Sequence, residues 1–248
     1  MVGLSGCVVN VSQKKPFNPH LGETFQGYFS DGTTVDMEYN THHPPVSSFY
    51  MVDAEKKWKL HGHHEFRINL GWTGNWGVGS CEGKNIIQFH DGQEIEYSHP
   101  GAKIQGFIFG TRSVEMYGEY EVTDKVNNFY FKADFGNGKG ENAGRVDSIE
   151  GDIVKYTNHS SKIAHLKGRW TEQITIDDRV YFDYTRMNPL EVHPVKNPLP
   201  SDSKYRRDRF LLKKGDLDRA AEEKVKGEVL MRKDRAIRAD YKEKQTKK

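Results

Sequence analysis

The sequence predicts a mainly β protein: many antiparallel strands forming a sandwich or a barrel, followed by an extended connection and a helical segment. Three observations lead there. Glycine accounts for 24 of 248 residues and aromatics for 12%, a mixture that suits many short strands joined by tight turns. Short runs of alternating apolar and polar side chains recur between residues 25 and 186. A proline-rich stretch then separates these runs from a charged, proline-free segment.

The elements follow in order. Phe66-Arg67-Ile68-Asn69-Leu70 and Glu94-Ile95-Glu96-Tyr97 alternate with the period of a strand. Phe107-Ile108-Phe109, Phe129-Tyr130-Phe131 and Val180-Tyr181-Phe182-Asp183-Tyr184 are aromatic-rich β runs. Turn signals separate them at Ser30-Asp31-Gly32, at Asp91-Gly92 and across Gly136 to Gly144. Such spacing fits a sandwich or a barrel. A barrel suits a lipid-sized ligand, because closure removes the sheet edges and leaves an apolar interior. Pro189, Pro194, Pro198 and Pro200 predict an extended surface connection over 187–215. Asp216 is placed to cap a helix over 216–241, whose apolar positions are too sparse for a core helix. Residues 242–248 read as a polar tail.

Composition excludes several classes. No run of about 18 apolar residues exists, so no membrane-spanning helix is expected, and the mean hydropathy is −0.81. The N-terminus lacks the pattern of a signal peptide, and Cys7 and Cys81 are too few for a disulfide framework, so a cytoplasmic protein is expected. The net charge of +2 hides an asymmetry: residues 201–248 hold 17 Lys/Arg against 10 Asp/Glu, and residues 1–200 hold 20 against 25. The basic C-terminal part fits phosphates, a membrane surface or nucleic acid, or a plain solvated helix face.

Four groups of residues could carry chemistry, and each has a plain structural alternative. In Thr41-His42-His43-Pro44-Pro45 the prolines enforce extended or turn geometry, and a rigid turn can aim both imidazoles at one anion. The alternative is an exposed loop with two ordinary histidines. In Lys15-Pro16-Phe17-Asn18-Pro19, Lys15 and Asn18 offer polar contacts from a stiff backbone; the alternative is a plain turn. Lys224, Glu228 and Arg232 recur at i, i+4 and i+8, on one helix face that could hold a phosphate or be a simple ion-pair ladder. His61-Gly62-His63-His64 puts His61 and His63 on one strand face, where a two-histidine metal site is conceivable but incomplete. The run Gly136-Asn137-Gly138-Lys139-Gly140 is followed by β-like sequence and so lacks the context of a phosphate loop. No nucleophile–base pattern stands out, and no enzyme is expected.

Lys15-Pro16-Phe17-Asn18-Pro19 with Leu21-Gly22-Glu23-Thr24, and Glu38 with His42-His43-Pro44-Pro45, resemble the signature blocks KPFNP-x-LGET and EQVSHHPP of the oxysterol-binding protein family. Tyr39, Asn40 and Thr41 depart from the second block. A third block, Leu199-Pro200-Ser201-Asp202-Ser203-Lys204-Tyr205-Arg206-Arg207-Asp208-Arg209 with Gly215-Asp216 and Ala220, is similar to the family's LPPTDSRLRPDR…GD…A segment. Lys224, Glu228 and Arg232 then fall on the family's K-x-x-LEE-x-QR helix, in which Gly227 and Val229 are departures. Gly227 is expected to cost the helix about 1 kcal/mol relative to alanine.

The resemblance implies one lipid-binding domain over 14–241: a large, nearly closed antiparallel β-barrel with an apolar tunnel at 25–186, and a C-terminal helical segment packing at the barrel mouth. It implies a cytoplasmic lipid-transfer protein, transiently peripheral at organelle membranes, with phosphatidylinositol 4-phosphate and a sterol or another lipid as partners. Carried over, Lys15 contacts phosphate and Asn18 lies near the glycerol-phosphate. His42 and His43 hold the 4-phosphate, Lys224 and Arg232 add charge, and Glu228 meets the headgroup. Family domains also carry an N-terminal lid and helices that the 14 residues before Lys15 cannot supply, so headgroup binding is expected to outlast sterol retention. A monomer is expected, with no cofactor, metal or nucleic acid. Two rivals remain: a phosphoinositide sensor that extracts no lipid, and a metal-dependent enzyme using His42, His43 and the His61–His64 group.

Overall fold

The computed structural model describes residues 17–246 apart from Asn137 and Pro189. Fifteen strands form one antiparallel sheet. They are β1 (Thr24–Phe29), β2 (Thr34–His42), β3 (Pro45–Val52), β4 (Trp58–Leu70), β5 (Trp76–Glu82), β6 (Asn85–Phe89), β7 (Glu94–Tyr97), β8 (Gly101–Gln105), β9 (Ser113–Asp124), β10 (Phe129–Phe135), β11 (Ser148–Lys155), β12 (Asn158–Arg169), β13 (Gln173–Ile176), β14 (Arg179–Asp183) and β15 (Val192–Pro194).

The topology is a meander. β6 and β5 lie end to end along β4, and β7 and β8 lie end to end along β9, so each pair acts as one long strand broken once. The first break falls at Gly83, whose φ of 131° and close approach to the His63 carbonyl leave no room for a side chain. β15 then returns to pair with β1, placing Val192 opposite Phe29.

That return forces the sheet to curl. Thirteen strands side by side would span about 58 Å if flat, at ~4.8 Å per strand. The edge strands β14 and β15 are joined by residues 184–191 alone, a link that reaches at most about 30 Å. The sheet is therefore a partly closed ring, in agreement with the barrel that the sequence predicts.

Strand alternation puts one face of this ring into a core. Phe131, Ala133 and Phe135 of β10 pack with Ile149 of β11, Leu166 of β12, Ile174 of β13, Phe182 of β14, and Met116 and Tyr120 of β9. Each large apolar side chain buried in this way contributes about 1.5–3 kcal/mol. On β4 the same face runs from Leu60, in the core, through His64 and Phe66 to Ile68 and Leu70. Ile68 and Leu70 are 73% and 68% exposed, because no described element covers that rim.

The connection over 187–215 differs from the extended segment expected. It holds β15, a 3₁₀ turn at Ser203–Tyr205 and helix α1 (Arg207–Lys213). Its residues find partners that a sequence cannot display: β15 takes the free edge of β1, and the Asp202 carboxylate accepts from the backbone N–H of Gln26 in β1 as well as from that of Lys204. Helix α2 (Leu217–Thr246) is capped by Asp216, which accepts from the Arg219 N–H at 3.3 Å. It runs through most of the segment expected to be a tail. No proline interrupts it, and Arg238–Asp234 and Lys244–Asp240 ion pairs at i,i+4 support its last turns.

Candidate functional site

Residues 17–23 bring the signature blocks together. The Gly22 N–H donates to the Tyr39 carbonyl at 2.8 Å, and the Tyr39 N–H donates to the Glu23 carbonyl at 2.9 Å, so this segment is bonded to β2 three residues before His42. On its other side the Leu21 N–H donates to the Met231 sulfur of α2. The His20 ring rests on the α2 backbone at Gly227, where an added methyl group would overlap the imidazole. Gly227 is thus a contact position, which its helix propensity alone does not reveal.

Beneath this segment lies a charged clamp. Arg206 donates to Asp208 through Nε at 3.0 Å and Nη2 at 2.5 Å, and through Nη1 to Glu23 at 2.8 Å and to the Asn18 carbonyl at 2.8 Å. All three side chains are buried, with 2–9% exposure. Burial alone would raise the Asp208 carboxyl, but the Arg206 hydrogen bonds and charge outweigh it and hold the group below the usual carboxylate range. His20 is shifted down by burial and then by the Arg206 charge, so the ring beside the clamp is neutral.

His42 and His43 sit at the β2–β3 turn, with ring centroids 4.7 Å apart. His42 is half-buried, and its Nδ1 is 2.6 Å from the hydroxyl of buried Tyr39. His43 is exposed. The Thr41 hydroxyl donates to the Pro44 carbonyl and ties the turn together. The Tyr39 partner was not legible in the sequence, where Tyr39 appeared only as a departure from the signature block.

The remaining expected site residues fall in two places. On α2, Lys224 lies 3.0 Å from Glu228 and 5.9 Å from the Phe17 ring centroid. The Lys224 hydrogen bond, with the charges of Lys224 and Arg232, holds Glu228 below its usual range. Arg232 is exposed. The Asn18 carbonyl serves the clamp while its side chain stays exposed. Lys15 lies outside the described residues. Among the described residues, no hydrogen bond, ion pair or ring contact joins His42 or His43 to Lys224, Glu228 or Arg232; residues 17–23 are the link between the two groups.

In the third histidine group, His64 has a structural partner. His64 donates from Nε2 to Oδ1 of fully buried Asn85 at 2.9 Å, and Asn85 donates onward to the Tyr97 carbonyl. His99 stands perpendicular to the His64 ring at 4.4 Å, and burial followed by the His64 charge lowers it to about 4. These imidazoles are neutral packing groups at the two strand breaks. Among the described residues, no group of three or more His, Cys, Asp or Glu side chains is placed to hold a metal ion. No helix among them is long and apolar enough to cross a membrane.

Comparison with known proteins identifies the class to which this curved antiparallel sheet and its histidine turn belong. The family model described as oxysterol-binding protein matches residues 3–187, and the chain belongs to that family. Oxysterol-binding protein 9 of Dictyostelium discoideum is 31% identical over 248 residues, covering 90% of this chain and 56% of its own length. Oxysterol-binding protein-related protein 3C of Arabidopsis thaliana is 29% identical, covering 85% and 50%. The chain spans about half the length of these curated relatives. Among solved structures, the Osh3 ORD of Saccharomyces cerevisiae in complex with PI(4)P superposes with a TM-score of 0.77 at 24% identity, over 94% of this chain and 68% of that one. The Osh1 ORD in complex with cholesterol gives 0.71 at 19%, over 92% and 62%. At these identities the likeness establishes the fold.

Proposed function

We propose that this chain binds phosphatidylinositol 4-phosphate and exchanges it for a sterol or another lipid between membranes. The carrying observation is the β2–β3 turn: two imidazoles 4.7 Å apart, one oriented by the Tyr39 hydroxyl, at the rim where the apolar core face is uncovered. A phosphomonoester carries about −1.5 to −2 charges at neutral pH. His42 and His43 donate to it, Lys15, Lys224 and Arg232 supply positive charge, and Asn18 and Glu228 meet the glycerol and inositol hydroxyls. Acyl chains or a sterol lie along Phe66, Ile68 and Leu70. The solved ORD complexes with PI(4)P and with cholesterol support this pair of ligands. The protein works as a monomer in the cytoplasm, peripherally and transiently at membranes.

The test is extraction of the phosphoinositide from vesicles. The His42→Ala/His43→Ala protein is expected to leave the lipid in the pelleted vesicles while keeping its fold by circular dichroism. Unchanged extraction by this variant would remove the proposal. Retention of the lipid in the pellet by the unmodified protein, with binding still seen, would mean a sensor instead.

A further inference from the structure

The same rim carries a second feature. The register places Val46, just after the histidine turn, opposite Glu65 of β4. β4 continues to Leu70 before it turns, so the β4–β5 tip stands roughly 16 Å beyond the Val46–Glu65 pair, at ~3.3 Å per residue. Trp76 pairs with Gln105, which sets the β8–β9 turn beside this tip.

The two tips form one rigid unit through Asn75. Its carbonyl accepts from the Gly106 and Phe107 N–H groups at 2.9 and 3.2 Å, and its side-chain oxygen accepts from the Ile108 and Phe109 N–H groups at 2.8 and 3.0 Å. Four backbone donors of one turn are thus satisfied by one residue of the other. What this stapled unit holds outward is apolar: Trp72 is 95% exposed, Ile108 70% and Phe109 66%. Trp76, four residues from Trp72, instead lies flat against Gly71. Arg112 is exposed just beyond the turn.

We infer that Trp72, Ile108 and Phe109 form a membrane-penetrating tip that enters the interfacial zone of a bilayer and sets the histidine rim against it. This rests on the proposed lipid ligand, which must leave a membrane at that rim. Three features name a bilayer as the occupant. The tip is continuous with the lipid-facing rim. An indole and a phenyl ring beside an aliphatic side chain match the mixed polarity of the headgroup boundary. Arg112 is placed to meet lipid phosphates. A rigid tip also spares the ordering cost that a flexible loop would incur on insertion.

The experiment uses vesicles of phosphatidylcholine alone, at a salt concentration that screens charge contacts. The unmodified protein is expected to co-sediment, with its tryptophan emission shifted to the blue. W72S/I108S/F109S is expected to lose at least about tenfold in partitioning, in line with removal of three large apolar groups. W72F should still partition but lose most of the blue shift, which assigns the signal to Trp72 among the four tryptophans. Equal partitioning of the triple variant would overturn the inference. So would a self-association of the unmodified protein that the triple variant abolishes without any change on vesicles, since a second copy would then be the occupant. A water-soluble, short-chain phosphoinositide separates this inference from the proposed function. The triple variant should bind it like the unmodified protein, and H42A/H43A should lose it while still partitioning onto phosphatidylcholine. Loss of soluble-ligand binding in the unmodified protein, with vesicle insertion intact, would sink the function and leave the tip standing.

Discussion

The clamp at Glu23, Arg206 and Asp208 and the face at Lys224, Glu228 and Arg232 are built from the same kinds of side chain, yet they stand in opposite environments. In the clamp, one guanidinium meets two carboxylates and a carbonyl, with every charge buried and bonded. On α2, Lys224 and Glu228 are each about one-third exposed, and Arg232 is open to solvent. Buried charge is costly unless fully paired, so the clamp is committed to holding the fold together. Exposed charge contributes little to stability and is free to meet a ligand. Residues of the signature blocks thus divide into those that fasten segments 17–23 and 199–208 and those that present chemistry.

The largest test of that division is Arg206→Met. It leaves Glu23 and Asp208 facing one another in a buried place and removes the bond to the Asn18 carbonyl. Loss of one partner from a buried ion pair costs about 3–5 kcal/mol. Urea unfolding should show a loss of that size, and Glu23→Gln with Asp208→Asn added should recover much of it. A loss below about 1 kcal/mol would show that the clamp is not the structural element its burial suggests.

Gly227→Ala comes next. On helix propensity alone it should stabilise α2 by about 1 kcal/mol. The His20 ring occupies the space that the methyl group would need, so the structure predicts the opposite sign, a loss of about 1–3 kcal/mol from overpacking. His20→Ala/Gly227→Ala should be more stable than Gly227→Ala, because the clash is then gone. Stabilisation by the single substitution would place α2 elsewhere.

These two residues also mark where the sequence stops being legible. The β-rich fold was readable because strand alternation and turn glycines are local signals, as in Phe66–Leu70 and Asp91-Gly92. The position of α2 against residues 17–21 was not, since it depends on contacts such as Leu21 with Met231, 210 positions apart. Resemblance supplied His42, His43 and the α2 face, whereas Tyr39 and Arg206 are defined by whom they meet. Helix α1 was hidden behind the prolines at 189–200, which end before it begins. The His61–His64 run suggested a metal half-site because strand alternation pairs His61 with His63, whereas a third ligand would have to come from elsewhere in the chain, and no such group is formed among the described residues.

The smallest expected change in stability is the most informative about the open face. Lys224→Ala/Arg232→Ala removes one exposed i,i+4 ion pair and one exposed cation. Such pairs are worth about 0.3–0.5 kcal/mol, so urea unfolding should move by no more than about 0.5 kcal/mol. Glu228 loses the two cations that hold its pKa down, so its carboxyl should titrate at higher pH in the variant, closer to an ordinary glutamate. Binding should respond far more than folding does. Affinity for vesicles bearing phosphatidylinositol 4-phosphate should fall, and its dependence on salt should flatten, because screening acts on the very charges that have been removed. A variant that unfolds early would move this face into the same structural class as the clamp. One that keeps both its stability and its salt-sensitive binding would return Lys224 and Arg232 to the role of a solvated helix face, leaving His42 and His43 to hold the phosphate without them.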